Sequence, residues 1–105
     1  MEQITAAELQ AMRAKGDPFQ LIDVREPYEA ERCSLGGTLI PMGEITQRLD
    51  EIRRDVPVVF HCRSGKRSAA VVQALEERYG FDGLLDLKGG ILAYAEDVDP
   101  ELNCD

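Results

Sequence analysis

Short apolar stretches of strand length alternate with helix-period stretches along the whole chain, and this alternation constrains the fold more than any other feature. Phe19-Gln20-Leu21-Ile22-Asp23-Val24, Thr38-Leu39-Ile40, Val56-Pro57-Val58-Val59-Phe60 and Leu84-Leu85-Asp86-Leu87 read as strands. The third is apolar throughout, as a strand covered on both faces has to be. Helices fall between and around them. Thr5-Ala6-Ala7-Glu8 is a capping box, and the helix it opens stops near Gly16, with Asp17-Pro18 as the turn. Pro27 suits the first turn of a brief helix through Arg32. From Glu44 to Ile52 the spacing puts Ile45, Leu49 and Ile52 on one helical stripe. Ser68 to Tyr79 is the clearest helix, with Val71, Val72 and Leu75 facing inward and Gly80 just past its end. Lys88-Gly89-Gly90 turns into a final helix over Ile91 to Glu96, and the polar tail beyond Pro100 is expected to be loose. Such alternation predicts an α/β domain whose mostly parallel sheet carries helices on both faces. The 105 residues suffice for one such domain, residues 1–105, and leave no room for a second core.

Charge and cysteine content narrow the chemistry. Twelve Lys and Arg stand against 20 Asp and Glu, a net charge of −8, which argues against nucleic acid or an anionic membrane surface as partner. No apolar run approaches the ~20 residues of a membrane span. Met1-Glu2-Gln3-Ile4 lacks the basic-then-apolar pattern of a secretory signal, so a cytoplasmic location is expected. The three cysteines, Cys33, Cys62 and Cys104, are odd in number and without short paired spacing, and His61 is the only histidine. Neither a disulfide framework nor a zinc site is therefore expected.

One segment departs from the acidic background. His61-Cys62-Arg63-Ser64-Gly65-Lys66-Arg67-Ser68 holds three of the twelve basic residues and lies between the apolar strand and the clearest helix. Ligands of open α/β sheets bind outside the C-terminal ends of the strands, which is where this segment falls. A tight turn from Cys62 to Arg67 would converge backbone N–H groups on the cysteine sulfur, at a helix N-terminus that favours an anion. Such surroundings favour a nucleophilic thiolate. Arg63, Lys66 and Arg67 would draw in a small anionic substrate, Gly65 would take the positive-φ turn, and Ser68 would cap the helix. The plainer alternative, an inert cysteine at a strand end beside a solvated turn, fits three adjoining cations poorly.

Two enzyme classes hold a cysteine between strand and helix in this way. Protein tyrosine phosphatases carry His-Cys, five residues and then Arg; here Arg67 follows after four, and Ser68 occupies the position of that Arg. The narrower loop suits a cysteine bearing one extra sulfur better than a phosphoryl group. A sulfur leaving group also has less need of a general acid. Cys62-Arg63-Ser64-Gly65-Lys66-Arg67 resembles the six-residue active-site loop of the rhodanese family, with Ser68 as the first residue of its helix. Leu21-Ile22-Asp23-Val24-Arg25-Glu26-Pro27-Tyr28-Glu29 and Leu87-Lys88-Gly89-Gly90-Ile91-Leu92-Ala93-Tyr94 are similar to that family's flanking signatures.

The resemblance implies a single-domain sulfurtransferase. In that family the cysteine takes sulfane sulfur from a donor such as thiosulfate, holds it as a persulfide, and yields it to a nucleophile such as cyanide or a thiol. By position Cys62 is the sulfur carrier, the loop amides hold the persulfide, and Arg63, Lys66 and Arg67 orient the donor or acceptor. No metal and no organic cofactor is implied. Arg32-Cys33-Ser34-Leu35-Gly36-Gly37 stands where many members have Gly-His-Ile and then Gly-Ala. With Leu39-Ile40-Pro41 it resembles the rhodanese domains appended to ubiquitin-activating-like enzymes, which pass sulfur to small ubiquitin-like carriers in molybdopterin, thiamine or tRNA thiolation. Such a carrier, or a protein sulfur donor, is the partner implied here, as a separate protein. Tyr94 stands where Trp is common.

Several residues have quieter readings. Asp23 and Arg25, at a strand end on the same edge as Cys62, either shape the site or form a structural ion pair, Arg25 with Glu26 or Glu29. Structure is the expectation. His61 faces away from Cys62 if both continue the strand, so packing rather than base catalysis is expected of it. Cys33 either resolves the persulfide as a second thiol or is a small half-buried loop residue, the latter being expected, and Cys104 is expected to be exposed. The rivals to sulfur transfer are a non-turnover interaction or carrier module of the same fold and a cysteine-dependent phosphatase or arsenate-reductase-like enzyme.

Overall fold

Five strands hydrogen-bond into one parallel sheet in the computed structural model, which describes residues 1–104. In chain order these are β1 (Glu2–Ile4), β2 (Gln20–Asp23), β3 (Thr38–Leu39), β4 (Val58–His61) and β5 (Leu84–Leu87), and their spatial order is β1-β5-β4-β2-β3. The strand made only of apolar residues and a histidine, β4, is central and buried along its whole length. It pairs Val58, Val59 and Phe60 with Leu84, Leu85 and Asp86 on one side, and with Gln20, Leu21 and Ile22 on the other.

Four helices cover the sheet: α1 (Ala6–Lys15), α2 (Pro27–Arg32), α3 (Lys66–Tyr79) and α4 (Gly90–Asp97). Strand alternation sends side chains to two cores. Ile22, Val58, Phe60 and Leu84 meet Val71, Val72 and Leu75 of α3 on one face. Leu21, Val59 and Leu87 meet Leu9 of α1 and Ile91 and Tyr94 of α4 on the other. The Thr5 capping box forms in both directions: the Glu8 N–H donates to Thr5 Oγ1 at 3.1 Å, and the Thr5 N–H donates to Glu8 Oε1 at 2.9 Å. Gly16 closes α1 and Gly80 closes α3, both left-handed.

Four local expectations are corrected. The edge strand β1 is unannounced because it buries only Ile4 and is otherwise polar. The stretch from Glu44 to Ile52 is not one α-helix but two 3₁₀ segments, Met42–Gln47 and Leu49–Glu51, separated at Arg48 by a φ of −127°. Ile45 and Ile52 are still buried as the stripe requires, with Leu49 partly buried against the same core cluster. Ser68 does not cap α3: Gly65 is the N-cap and Ser68 lies within the first turn.

The tail is the fourth correction. Cys104 is buried, not exposed, and forms a disulfide with Cys33, 71 residues away. Leu102 packs against the same core. The pairing depends on α4 returning the chain to the end of α2, a tertiary fact that cysteine spacing does not carry. The odd cysteine count resolves into one bond and one free thiol, Cys62. Cys33 is therefore not a free resolving thiol in this state.

Candidate active site

Cys62 follows directly on β4, and the chain then needs only three residues to reach the N-cap of α3. Gly65 makes that turn at a φ of +106°, a conformation a side chain resists. The turn aims two backbone donors at the sulfur: the Gly65 N–H at 3.1 Å and the Ser68 N–H at 3.4 Å from Cys62 Sγ. Ser68 Oγ lies 3.5 Å from the same sulfur. Converging amides at a helix N-terminus stabilise a sulfur anion, and the α3 dipole adds to them.

The loop is held from behind by α4. The Ile91 N–H donates to the Cys62 carbonyl at 2.9 Å, and the Leu92 N–H donates to the Arg63 carbonyl at 3.2 Å. This approach requires glycine at position 90, where φ is +62° and a Cβ would sit 2.4 Å from the Arg63 oxygen and 2.7 Å from that of Cys62. Gly90 thus serves the loop, whereas Gly89 serves its own helix: it is the N-cap of α4, and a Cβ there would meet Ala93 Cβ at 2.6 Å.

The three cations have separate stations. Arg67 spans the gap to α2 and donates twice to Glu29, at 2.8 and 2.9 Å. The guanidinium beside Glu29 pulls its carboxyl down to about 2. Arg63 donates to the Cys104 carbonyl at 3.2 Å, joining the loop to the disulfide-bonded tail. Lys66 and Ser64 are exposed on the turn.

Asp23 and Arg25 reach the same sheet edge but lie on the other face and do not touch Cys62. Arg25 pairs with Asp23, not with the side chains of Glu26 or Glu29, through Nε at 2.9 Å and Nη2 at 2.8 Å. Both residues are buried. Arg25 also donates to the Cys33 carbonyl at 2.7 Å and to that of Glu29 at 3.4 Å. Its effect on the site is indirect: it fixes α2, and α2 presents Glu29 to Arg67. His61, also on this face, is fully buried, 4.0 Å from Asp23, and among the described residues neither ring nitrogen has a hydrogen-bond partner. Burial pushes its imidazole below the ordinary value, opposed by the Asp23 charge.

Sequence reasoning missed Asp86. It is 1 % exposed on β5 and accepts a hydrogen bond from Ser68 Oγ. The available signal was a carboxylate inside an apolar strand, a placement that normally demands a partner. Clefts of about 370 and 400 Å³ open elsewhere, one beside Pro57 and Phe81, the other beside Phe19 and Gly37. The loop lies outside both. Among the described residues, no three His, Cys, Asp or Glu side chains are grouped to hold a metal ion.

The rhodanese-like domain family model matches residues 5–97, and the chain belongs to that family. It is 41 % identical over 91 residues to the uncharacterized protein YqhL of Bacillus subtilis, covering 86 % of this chain and 69 % of that protein. To a protein named sulfurtransferase from Allochromatium vinosum it is 34 % identical, covering 90 % of this chain and 89 % of the relative. It is equally 34 % identical to MoeZ of Mycobacterium tuberculosis, named a probable adenylyltransferase/sulfurtransferase, and spans only 26 % of that protein's length. Among solved structures, a rhodanese-like domain protein from Staphylococcus aureus superposes with a TM-score of 0.84 at 31 % identity, covering 100 % of this chain and 99 % of that one.

Proposed function

We propose that this chain is a sulfurtransferase that carries sulfane sulfur on Cys62. The observation that carries the proposal is the free thiol of Cys62, with the Gly65 and Ser68 N–H groups aimed at its sulfur. In the first half-reaction the Cys62 thiolate attacks the outer sulfur of a small anionic donor such as thiosulfate. The donor's S–S bond breaks and sulfite leaves with the bonding pair, so no proton need be delivered to it. Cys62 then bears a persulfide whose terminal anion can occupy the cradle. In the second half-reaction a nucleophile, cyanide or a thiolate, attacks that terminal sulfur, and Cys62 departs as thiolate. Arg63, Lys66 and Arg67 supply positive charge around the loop for the anions on either side of the exchange. Asp23 and Arg25 support the loop through α2. The names of MoeZ and the A. vinosum relative support this class of reaction; the resemblance of residues 32–41 to rhodanese domains appended to ubiquitin-activating-like enzymes supports a ubiquitin-like sulfur carrier or a protein sulfur donor as physiological partner. A phosphatase would need a guanidinium where Ser68 stands; that position holds a buried hydroxyl, and Arg67 is turned to Glu29.

Intact-mass spectrometry before and after thiosulfate, then after cyanide, tests the proposal. Wild-type protein gains one sulfur atom and returns it as thiocyanate, while Cys62→Ser gains none. Absence of sulfur uptake from thiosulfate, a small persulfide and a persulfidated cysteine desulfurase alike would overturn it in favour of the non-turnover module.

A further inference from the structure

Beneath the sulfur, on the side away from solvent, lies a buried acid that the exchange just described does not use. Cys62 Sγ, Ser68 Oγ and Asp86 Oδ1 form a continuous chain, 3.5 Å from sulfur to hydroxyl and a hydrogen bond from hydroxyl to carboxylate. All three residues are at most 1 % exposed. We propose that Asp86 is a positioning residue for the nucleophile, holding through Ser68 the proton that Cys62 gives up.

The geometry of the hydroxyl makes the transfer possible. With Asp86 ionised, Ser68 donates to it and its lone pairs face the Cys62 thiol. When the thiol ionises, its S–H bond breaks, that proton binds Ser68 Oγ, and the former hydroxyl proton moves to Asp86 Oδ1. The pair begins as thiol and carboxylate and ends as thiolate and carboxylic acid, so its net charge of −1 is conserved. Ser68 then donates to the sulfur it previously accepted from. No proton enters or leaves bulk water, and no co-reactant is needed.

The surroundings favour one shared negative charge over two. From β1, Gln3 is the register partner of Asp86 and hydrogen-bonds its carboxyl. On β4 the register partner is Phe60, just ahead of Cys62, and α3 contributes the Ser68 hydroxyl. Among the described residues no Lys, Arg or His forms an ion pair with Asp86: Lys88, two positions on, is exposed, and Glu76 of α3 is paired with the Met1 amino group. Burial accordingly pushes the Asp86 carboxyl above its usual range, with Ser68 and Gln3 opposing. Arg67, whose charge interacts with Cys62, is already matched by Glu29. A thiol and a carboxyl joined by one hydroxyl titrate as a pair, in two macroscopic steps.

The inference rests on Cys62 being the nucleophile, but its test needs no sulfur donor. Iodoacetamide alkylation of Cys62, followed by mass against pH in the intact disulfide-bonded protein, reads the thiolate fraction directly. Wild type is expected to show two inflections with a plateau between them, where the shared proton sits on Asp86 part of the time. Asp86→Asn removes the second site and is expected to show a single inflection, with the rate falling about tenfold per pH unit below it. Ser68→Ala keeps the carboxyl and cuts the bridge; it is expected to lose the plateau as well, which covers the case of an Asp86→Asn protein that fails to fold. A wild-type profile with one inflection, or one superimposable on that of Ser68→Ala, would overturn the proposal. Loss of sulfur uptake with the two-step profile intact would instead count against the sulfurtransferase proposal alone.

Discussion

Gly90→Ala isolates the contact that fixes the loop from behind. Two effects are separable at this position. An alanine held at a φ of +62° costs about 1–2 kcal/mol for the left-handed conformation alone. Its Cβ would also stand 2.4 Å from the Arg63 oxygen and 2.7 Å from the Cys62 oxygen, against an ordinary carbon–oxygen approach of about 3.3–3.6 Å. Loop and helix must part by roughly 1 Å, which stretches the Ile91-to-Cys62 and Leu92-to-Arg63 hydrogen bonds, each worth about 1 kcal/mol net. The expected loss is therefore about 3–4 kcal/mol. Gly80→Ala supplies the control: its φ is +66°, yet nothing lies within 4 Å of a Cβ there, so about 1–2 kcal/mol is expected. With a urea m-value of about 1.5 kcal/mol/M, the midpoint should fall by about 2 M or more for Gly90→Ala and by about 1 M for Gly80→Ala. Equal midpoint shifts would refute the claim that close packing of α4 on the loop, rather than backbone conformation, demands glycine at position 90.

Two further outcomes can be read from the same unfolding curves. The buried neutral His61 binds no proton in the folded state at a pH where the unfolded chain does, since its folded pKa lies below the ordinary 6.5. Stability should therefore fall as pH drops below about 6.5, by at most about 1.4 kcal/mol per unit, and His61→Phe should flatten that slope on the acid side of about 6.5; an unchanged slope in the variant would assign the effect to other groups. Closing a loop across the 71-residue separation of Cys33 and Cys104 contributes about 2–4 kcal/mol, so a reductant should lower the wild-type midpoint and leave Cys104→Ser unmoved. Disulfides of this kind persist where the surroundings are oxidising, so that measurement also bears on the expected cytoplasmic location.

Period and punctuation made most of the architecture legible. Apolar runs placed β2, β4 and β5, the capping box placed α1, and Gly80 marked the end of α3. Features set by partners distant in sequence were not legible. Glu2 and Gln3 carry no strand pattern, because an edge strand draws its pairing from β5 rather than from burial. The 42–51 stretch satisfies a helical stripe with 3₁₀ turns, since burial at positions 45, 49 and 52 does not dictate which hydrogen-bond ladder delivers it. At the site, the residues contiguous with Cys62 were identifiable as one loop, because strand, turn and helix are consecutive there. Asp86 was not, because only the order of β5 beside β4 brings it under Ser68. Arg25 forms a structural ion pair, as its position suggests, but its partner is Asp23 rather than Glu26 or Glu29, because the carboxylate two residues back shares its face of the sheet.

The central position of β4 has a kinetic consequence. Amide hydrogens near the sheet margins, in β1 and in the two-residue β3, can exchange through local fraying, whereas those of β4 exchange only when strands on both sides separate. The cysteine is thus joined to the slowest-opening part of the molecule. The anchor point of the Cys62 loop would therefore outlast the frequent small excursions of the periphery, and its backbone would be displaced at the rate of global unfolding rather than that of local breathing.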